Sequence, residues 1–225
     1  MENNIPHFLT LDQIRPGDVL LCRRAAKSEQ EIEIVKTSRS EYTHAAICIG
    51  DGKAAGAGLE QGIQIHSVRL LMRVFDHIAV LRQPDAWSPE RMKALADFAA
   101  AAAAAEAGYN DDGLNKFLEI RLAHESTVHE RLMQFFDGKH KPPMPTAVGR
   151  YTCSEFVVAG FIIVGFIDPS AAILYSPGAF APGDLGEDPT FGTFAGYLPL
   201  KAGYEIPATD RFYNETTYAK IFEDE

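Results

Sequence analysis

The sequence predicts an α+β fold in which an antiparallel sheet packs against helices, and three observations support this. The chain of 225 residues is 46% apolar and 23% charged, as expected for one globular domain with a sizeable core. Short apolar stretches between residues 19 and 82 alternate with turn-forming residues, which indicates strands. The stretches at 88–136 and 156–167 have the length and apolar character of helices.

The N-terminal half supplies the predicted sheet. A turn at residues 16–18 leads into the first strand, and Asp51-Gly52 between two apolar stretches is a strong hairpin signal. Residues 27–40 are polar and are expected to form a loop or a short helix. The predicted strands, about four or five in a mostly antiparallel sheet, are residues 19–22, 44–49, 53–58, 63–68 and 77–82.

Two helices are predicted in the middle of the chain. The first begins after Ser88, because an N-cap serine is followed there by proline and glutamate, and it ends before Gly108. The second covers residues 114–136, where apolar side chains recur at helical spacing, with a break near 124–126. Three prolines within 139–149 predict an exposed connector.

Charge and cysteine content exclude several classes of function. The net charge of -10 opposes binding to phosphate backbones, so no nucleic-acid partner is expected. The three cysteines (Cys22, Cys48 and Cys153) are expected to be free thiols. Histidine and cysteine spacing does not match a zinc site, and neither a metal nor a cofactor is expected. The longest apolar run, 156–167, is too short to cross a bilayer.

Cys153, in the segment YTCSE at 151–155, is the strongest candidate for a reactive residue. Thr152 and Glu155 have the spacing of a capping box, which makes Thr152 the N-cap and Cys153 the first helical residue. Backbone amides and the helix dipole favour a thiolate there and can stabilise an oxyanion. The alternative is a small buried residue that opens a helix. Cys22 and Cys48 lie inside strand-like stretches and are expected to pack in the core.

A thiol nucleophile needs a base, and His44 is the best candidate among seven histidines. It opens a strand and could face a helix N-terminus. His66 lies in a later predicted strand and could face the same cleft. The other histidines have no comparable context.

These segments resemble a known superfamily. YTCSEFV at 151–157 resembles the cysteine motif of NlpC-type papain-like hydrolases. The matching histidine segment, YTHAAI at 42–47, comes earlier in the chain, an order similar to the circularly permuted YiiX/YebB-like branch, which is related to lecithin:retinol acyltransferase-like proteins. Further segments that fit this branch are IRPGDVLL at 14–21, GDG at 50–52, SP at 176–177 and PGDL at 182–185.

The resemblance implies one permuted papain-like domain over residues 1–225, with an antiparallel sheet or small barrel packed on helices. Residues of about 88–145 would be a helical insertion. Cys153 would be the nucleophile and His44 the general base. No cofactor is implied.

In this branch a polar residue on the following strand orients the imidazole. The expected hairpin pairing places His44 opposite residues 58–60, where Glu60 is the nearby acid. Gln61 and His66 are the alternatives. Glu60 would need a one-residue bulge to point at the imidazole, and this third position departs from the family pattern.

The leading functional hypothesis is an amidase or peptidase that cleaves cell-wall-type peptide or isopeptide bonds through an acyl-enzyme. The alternatives are a lipid esterase or acyltransferase with the same nucleophile and a catalytically silent binding module. Tyr151, Tyr42 and Ser154 could contribute oxyanion or positioning hydrogen bonds. The substrate is therefore expected to be peptide-like or lipid-like.

The N-terminal sequence is difficult to reconcile with a cell-wall substrate, which lies outside the cytoplasm. Residues 1–6 contain neither a basic leader nor a long apolar stretch, so a cytoplasmic location is expected by default. Export by a signal-independent secretion system is the alternative, in which case an immunity or secretion partner is expected.

Overall fold

The computed structural model describes residues 6–38, 40–59, 61–84, 87–142, 144–168 and 170–214. Within these ranges six strands form one open antiparallel sheet, and its spatial order is β4-β3-β2-β1-β5-β6. The strands are β1 (Val19–Arg23), β2 (Tyr42–Gly50), β3 (Lys53–Gly58), β4 (Gly62–Ser67), β5 (His77–Arg82) and β6 (Thr193–Tyr197). The α+β fold with an antiparallel sheet is confirmed, as an open sheet and with one strand more than expected.

The helices begin and end at recognisable signals. Over the described ranges they are α1 (Glu29–Ser38), α2 (Val68–Val74), α3 (Pro89–Ala104), α4 (Asp111–Asn115), α5 (Phe117–Phe136), α6 (Cys153–Ile163) and α7 (Pro182–Glu187). The predicted start of α3 is confirmed, because the Ser88 side chain accepts a hydrogen bond from the Arg91 N–H. None of the helices in these ranges combines the length and apolar character needed to cross a membrane.

The predicted break near residues 124–126 is wrong. Helix α5 is continuous through this region. The hydroxyls of Ser126 and Thr127 both donate to the Ala123 carbonyl, at 3.1 and 2.7 Å, so these polar side chains are satisfied within the helix.

The hairpin between β2 and β3 is formed by the predicted Asp51-Gly52 turn. Both residues have a positive φ, 51° and 65°, which suits the twist of a tight hairpin. The described pairing between the two strands runs from the turn to Ile47 and Ala55, and it ends there although both strands continue. The regular ladder therefore stops before Gly56, although Gly56 still lies against Ala45 and Ala46.

A bulge in β2 decides which side chains face each side of the sheet. His44 pairs with Cys22 and Tyr42 pairs with Arg23, so Thr43 is an additional residue without a partner in β1. As a result Tyr42 packs in the same core as Ala45, on the side covered by α6. By alternation, His44 faces the opposite side of the sheet.

A buried polar cluster joins the C-terminal segment to the sheet. Asp210 accepts hydrogen bonds from Tyr42 Oη, at 3.0 Å, and from Tyr197 Oη, and its Oδ2 lies 3.0 Å from His77 Nε2. His77 Nδ1 lies 2.9 Å from Tyr204 Oη. The side chains of His77 and Asp210 are 0% and 2% exposed. Burial by itself raises the pKa of Asp210, but the hydrogen bonds from His77 and Tyr197 outweigh it and the pKa is lowered.

Replacing Asp210 with asparagine is expected to lower the free energy of unfolding at pH 7 by about 1.5–3 kcal/mol, because it removes a charged acceptor from buried hydrogen bonds. Because the folded-state pKa lies below the unfolded value, this contribution is present above about pH 4 and is lost as the pH falls through the folded pKa. Urea denaturation of both proteins at several pH values measures it.

Asp97→Asn is the matched control, because Asp97 pairs with Lys93 on the surface of α3. Its expected effect is below about 0.5 kcal/mol. Equal losses for the two variants would contradict a special role for the buried carboxylate.

Candidate active site

A cavity of about 550 Å³ lies at the end of the β2–β3 hairpin away from the turn. One wall comes from β2, β3, β4 and α2, and the facing wall comes from α4 and the starts of α5 and α6. Much of the wall is apolar, and it includes Leu59, Leu71, Phe75, Leu114, Phe117 and Phe180. Both Cys153 and His44 line this cavity.

Capping interactions place Cys153 at the first position of α6, as predicted. The Thr152 side chain accepts from the Glu155 N–H, and the Glu155 carboxylate accepts from the Thr152 N–H. The Asn110 side-chain amide lies 3.1 and 3.0 Å from the two carboxylate oxygens of Glu155. Glu155 therefore has a structural role, which is to hold the start of α6 in place.

The thiol of Cys153 is buried, and burial determines its protonation. Burial raises the pKa of Cys153 to about 11, although the backbone N–H groups of Ala45, Ser154 and Cys153 itself lower it. Here the free-energy cost of removing the thiolate from water exceeds the stabilisation that the backbone amides at the start of α6 provide. The amides at the helix start favour the thiolate, as expected, but burial outweighs them, so the resting form at neutral pH is the thiol.

The other two cysteines behave as expected. Cys22 and Cys48 are buried in strands, and burial raises the pKa of both thiols well above the ordinary value. Neither lines the cavity.

The imidazole of His44 is held between an aromatic ring and a glycine. It stacks on Phe75 with 5.2 Å between ring centroids and 10° between planes. A Cβ at Gly56 would lie 3.4 Å from His44 Nε2 and 3.1 Å from the Ala45 carbonyl oxygen, so glycine leaves room for the ring. Burial, followed by the charges of Arg24 and His66, lowers the pKa of His44 to about 4. The imidazole is therefore neutral at pH 7.

The two side chains share the cavity as uncharged groups. Within the described part of the chain no hydrogen bond joins Cys153 Sγ to His44, yet Ala45, the next residue after His44, directs its N–H at the thiol. A neutral imidazole can accept the thiol proton as a general base. This differs from a preformed pair of thiolate and imidazolium.

Tyr109 also lies beside the thiol, and sequence reasoning missed it. Its hydroxyl is close to the backbone N–H of Cys153, and the residue lines the cavity. Burial, together with the nearby Cys153 and Glu155, raises the pKa of Tyr109, so its phenol stays protonated. A parallel bridge between Tyr109 and Tyr151 brings it there, a long-range contact for which the sequence carries no local signal.

The hydroxyl groups that were predicted to position the substrate or stabilise an oxyanion all hydrogen-bond to other groups of the protein. Ser154 lines the cavity, but its Oγ donates to the Phe180 carbonyl at 2.5 Å. Tyr151 Oη donates to the Thr146 carbonyl at 2.7 Å, and the Tyr42 hydroxyl belongs to the buried polar cluster. Neither tyrosine lines the cavity.

The candidates for orienting His44 have different placements. Glu60 lies outside the described residues. Gln61 and His66 both line the cavity, as does Gln64, whose side-chain amide donates to the Gln61 carbonyl at 3.1 Å. No hydrogen bond from a described residue reaches the His44 imidazole, so the third position stays a prediction.

Comparison with known proteins neither supports nor contradicts the resemblance to permuted papain-like hydrolases. No protein-family model matches the chain, and a search of curated proteins finds no match either. Among the described residues, no three His, Cys, Asp or Glu side chains group so that they could hold a metal ion.

Alkylation of Cys153 by iodoacetamide is expected to be slow at pH 7 and to accelerate roughly tenfold per pH unit toward pH 11, because only the thiolate reacts. Peptide mass spectrometry measures the modification at Cys153, with glutathione as the reference thiol. A rate that reaches its plateau below pH 8 would instead indicate a thiolate and imidazolium pair.

Proposed function

We propose that this chain is a cysteine-dependent acyl hydrolase of the permuted papain-like type, with Cys153 as the nucleophile and His44 as the general base. The observation that carries the proposal is the shared cavity, whose wall includes both a thiol at the start of a buried helix and a neutral imidazole. The chain order, with His44 in β2 ahead of Cys153 in α6, is that of the permuted branch.

The reaction proceeds in two halves. His44 takes the proton from Cys153 Sγ as the sulfur attacks the substrate carbonyl. The Cys153 N–H and the protonated Tyr109 hydroxyl lie close to the sulfur, where they can donate to the developing oxyanion. His44 then gives its proton to the leaving group, the bond to that group breaks, and a thioester remains.

In the second half, water loses a proton to His44 and attacks the thioester. The tetrahedral intermediate collapses, the carboxylic acid leaves, and Cys153 Sγ recovers its proton from His44. An alcohol or amine in place of water would give acyl transfer. The low pKa of His44 makes it a weak base but makes its protonated form a strong acid toward the leaving group.

The cavity wall favours an acyl chain as the group attached to sulfur. Its apolar side chains, which include Leu71, Phe117 and Phe180, gain from contact with hydrocarbon, whereas the charged groups of a cell-wall peptide would lose hydration against them. The volume of about 550 Å³ is typical of small-molecule sites. The lipid-like alternative is therefore better supported than the cell-wall amidase.

The wild-type protein is expected to release hexanoate from 1-monohexanoylglycerol and to leave muropeptides intact. Cys153→Ala should reduce release to the uncatalysed rate, and His44→Gln should lower kcat by about 100-fold or more, since general-base catalysis is removed. Chromatographic quantification of free hexanoate and a mass-spectrometric search for the hexanoyl thioester measure these effects.

Cys48→Ala is the matched control, because this thiol is also buried but does not line the cavity. It should retain activity. Release that persists in Cys153→Ala would place the reaction at another site. A folded wild-type protein that turns over neither ester nor muropeptide would favour the silent binding module.

A further inference from the structure

Helix α2 separates the cavity from a second, smaller cleft. Leu70 and Val74 lie on one side of the helix and line the cavity, whereas Arg69 and Arg73 lie on the other side and line a cleft of about 220 Å³. The segment 199–201, which follows β6, completes this cleft. Because the members of each pair are four residues apart, each pair forms one stripe along the helix.

The first stripe is apolar and exposed at the rim of the cavity. Val68 and Leu71 bury the opposite face of α2 in the core beneath it. Leu70 and Val74 are 40% and 50% exposed, and Leu59, which also lines the cavity, is 47% exposed. Large apolar side chains that both line a cavity and face water form part of its rim. Such a rim indicates a surface that an apolar phase covers.

The second stripe carries charge that the protein does not balance locally. Within the described chain, the exposed side chains of Arg69, Arg73 and Lys201 make neither an ion pair nor a hydrogen bond. The acid nearest to them in sequence, Asp76, pairs with Arg23 instead. Three cations therefore surround one cleft in a chain whose net charge is -10. Guanidinium and ammonium groups arranged in this way suit a phosphate group.

A bilayer offers both chemistries in adjacent layers. Arginine and lysine side chains reach its phosphate head groups, while apolar neighbours on the same helix enter the boundary of the acyl chains. An acidic protein would satisfy the cations alone and would leave the apolar rim in contact with its charged groups. The apolar wall inside the cavity also continues the rim inward, as a path for acyl chains requires.

The net charge of -10 does not prevent this contact. At physiological ionic strength, salt screens charges that are more than about 8 Å apart. Once the α2 face touches an anionic surface, its own cations are therefore the charges that act there. The remaining acidic surface mainly slows the approach.

We propose that this face of α2 docks the protein on a bilayer that contains anionic phospholipid. Arg69, Arg73 and Lys201 contact the phosphate groups, and Leu70 and Val74 enter the acyl layer. The rim of the cavity then faces the membrane. That acyl substrates enter the cavity directly from the bilayer rests on the proposed function, whereas the docking itself does not.

Vesicle flotation with the Cys153→Ala protein measures docking without turnover. The vesicles contain phosphatidylcholine alone or an equal mixture with phosphatidylglycerol. The mixed vesicles are expected to bind at least about tenfold more tightly, because each cation near an anionic surface contributes about fivefold. Raising NaCl from about 0.1 M to about 1 M should remove most of this preference, since it shortens the screening length from about 10 Å to about 3 Å.

Two double variants in this background separate the stripes. Arg69→Gln with Arg73→Gln should weaken binding to the mixed vesicles about 25-fold. Leu70→Ser with Val74→Ser should weaken it about tenfold, although the charge is unchanged, because less apolar surface leaves water. All four side chains are exposed, so Tm should stay close to that of the parent protein.

Lys93→Gln with Lys139→Gln is the matched control. It removes the same charge from two exposed side chains that line neither the cavity nor the cleft. Its expected effect on vesicle binding is below about twofold, because distant charges are screened.

Each remaining outcome decides against part of the proposal. Equal binding to the two vesicles, no binding to either, or an equal loss in the control would overturn it. If the variant of Leu70 and Val74 binds the mixed vesicles as tightly as the parent, the cleft holds only soluble anions, and docking on a bilayer is excluded. The comparisons of lipid and salt need no α2 variant, so a loss of folding in one would not hide the answer.

Docking and catalysis fail separately. If the protein docks as expected but the wild type releases no hexanoate from 1-monohexanoylglycerol, the docking surface stands and the proposed function fails. Release of hexanoate by a protein that binds neither vesicle would leave the proposed function and overturn the docking surface.

Discussion

The position of the sulfur depends on one buried carboxylate. Glu155 closes the capping box at the start of α6 and also accepts both hydrogen bonds from the Asn110 amide. Asn110 follows Tyr109, so this contact and the bridge between Tyr109 and Tyr151 together hold the phenol next to Cys153. The Asn110 N–H also donates to the Tyr151 carbonyl at 3.2 Å, so backbone contacts join the same two segments.

Burial dominates the electrostatics of the cavity. The backbone amides around Cys153 favour a negative sulfur, but the surrounding protein excludes the water that would stabilise it, and the pKa rises to about 11. The same exclusion keeps His44 neutral. In the proposed reaction, charge therefore forms only when the proton leaves Cys153 Sγ for His44.

Local signals were predictable from the sequence, and long-range contacts were not. Ser88, the Asp51-Gly52 turn and the capping box before Cys153 depend on neighbours within four residues, so their residue types suffice. The early end of the β2–β3 ladder and the approach of Tyr109 depend on how distant segments pack. The raised pKa of Cys153 was also not predictable. The sequence indicates that the thiol lies at a helix start, but not how deeply it is buried.

The buried cluster around Asp210 links the assembly of the site to the order of synthesis. Tyr42 is the first residue of the strand that carries His44, and its hydroxyl bonds to a carboxylate encoded 168 residues later. A nascent chain that has not yet reached Asp210 leaves this hydroxyl and the His77 imidazole in the core without their acceptor. Both groups are therefore satisfied only once the C-terminal segment has packed against β2 and β5.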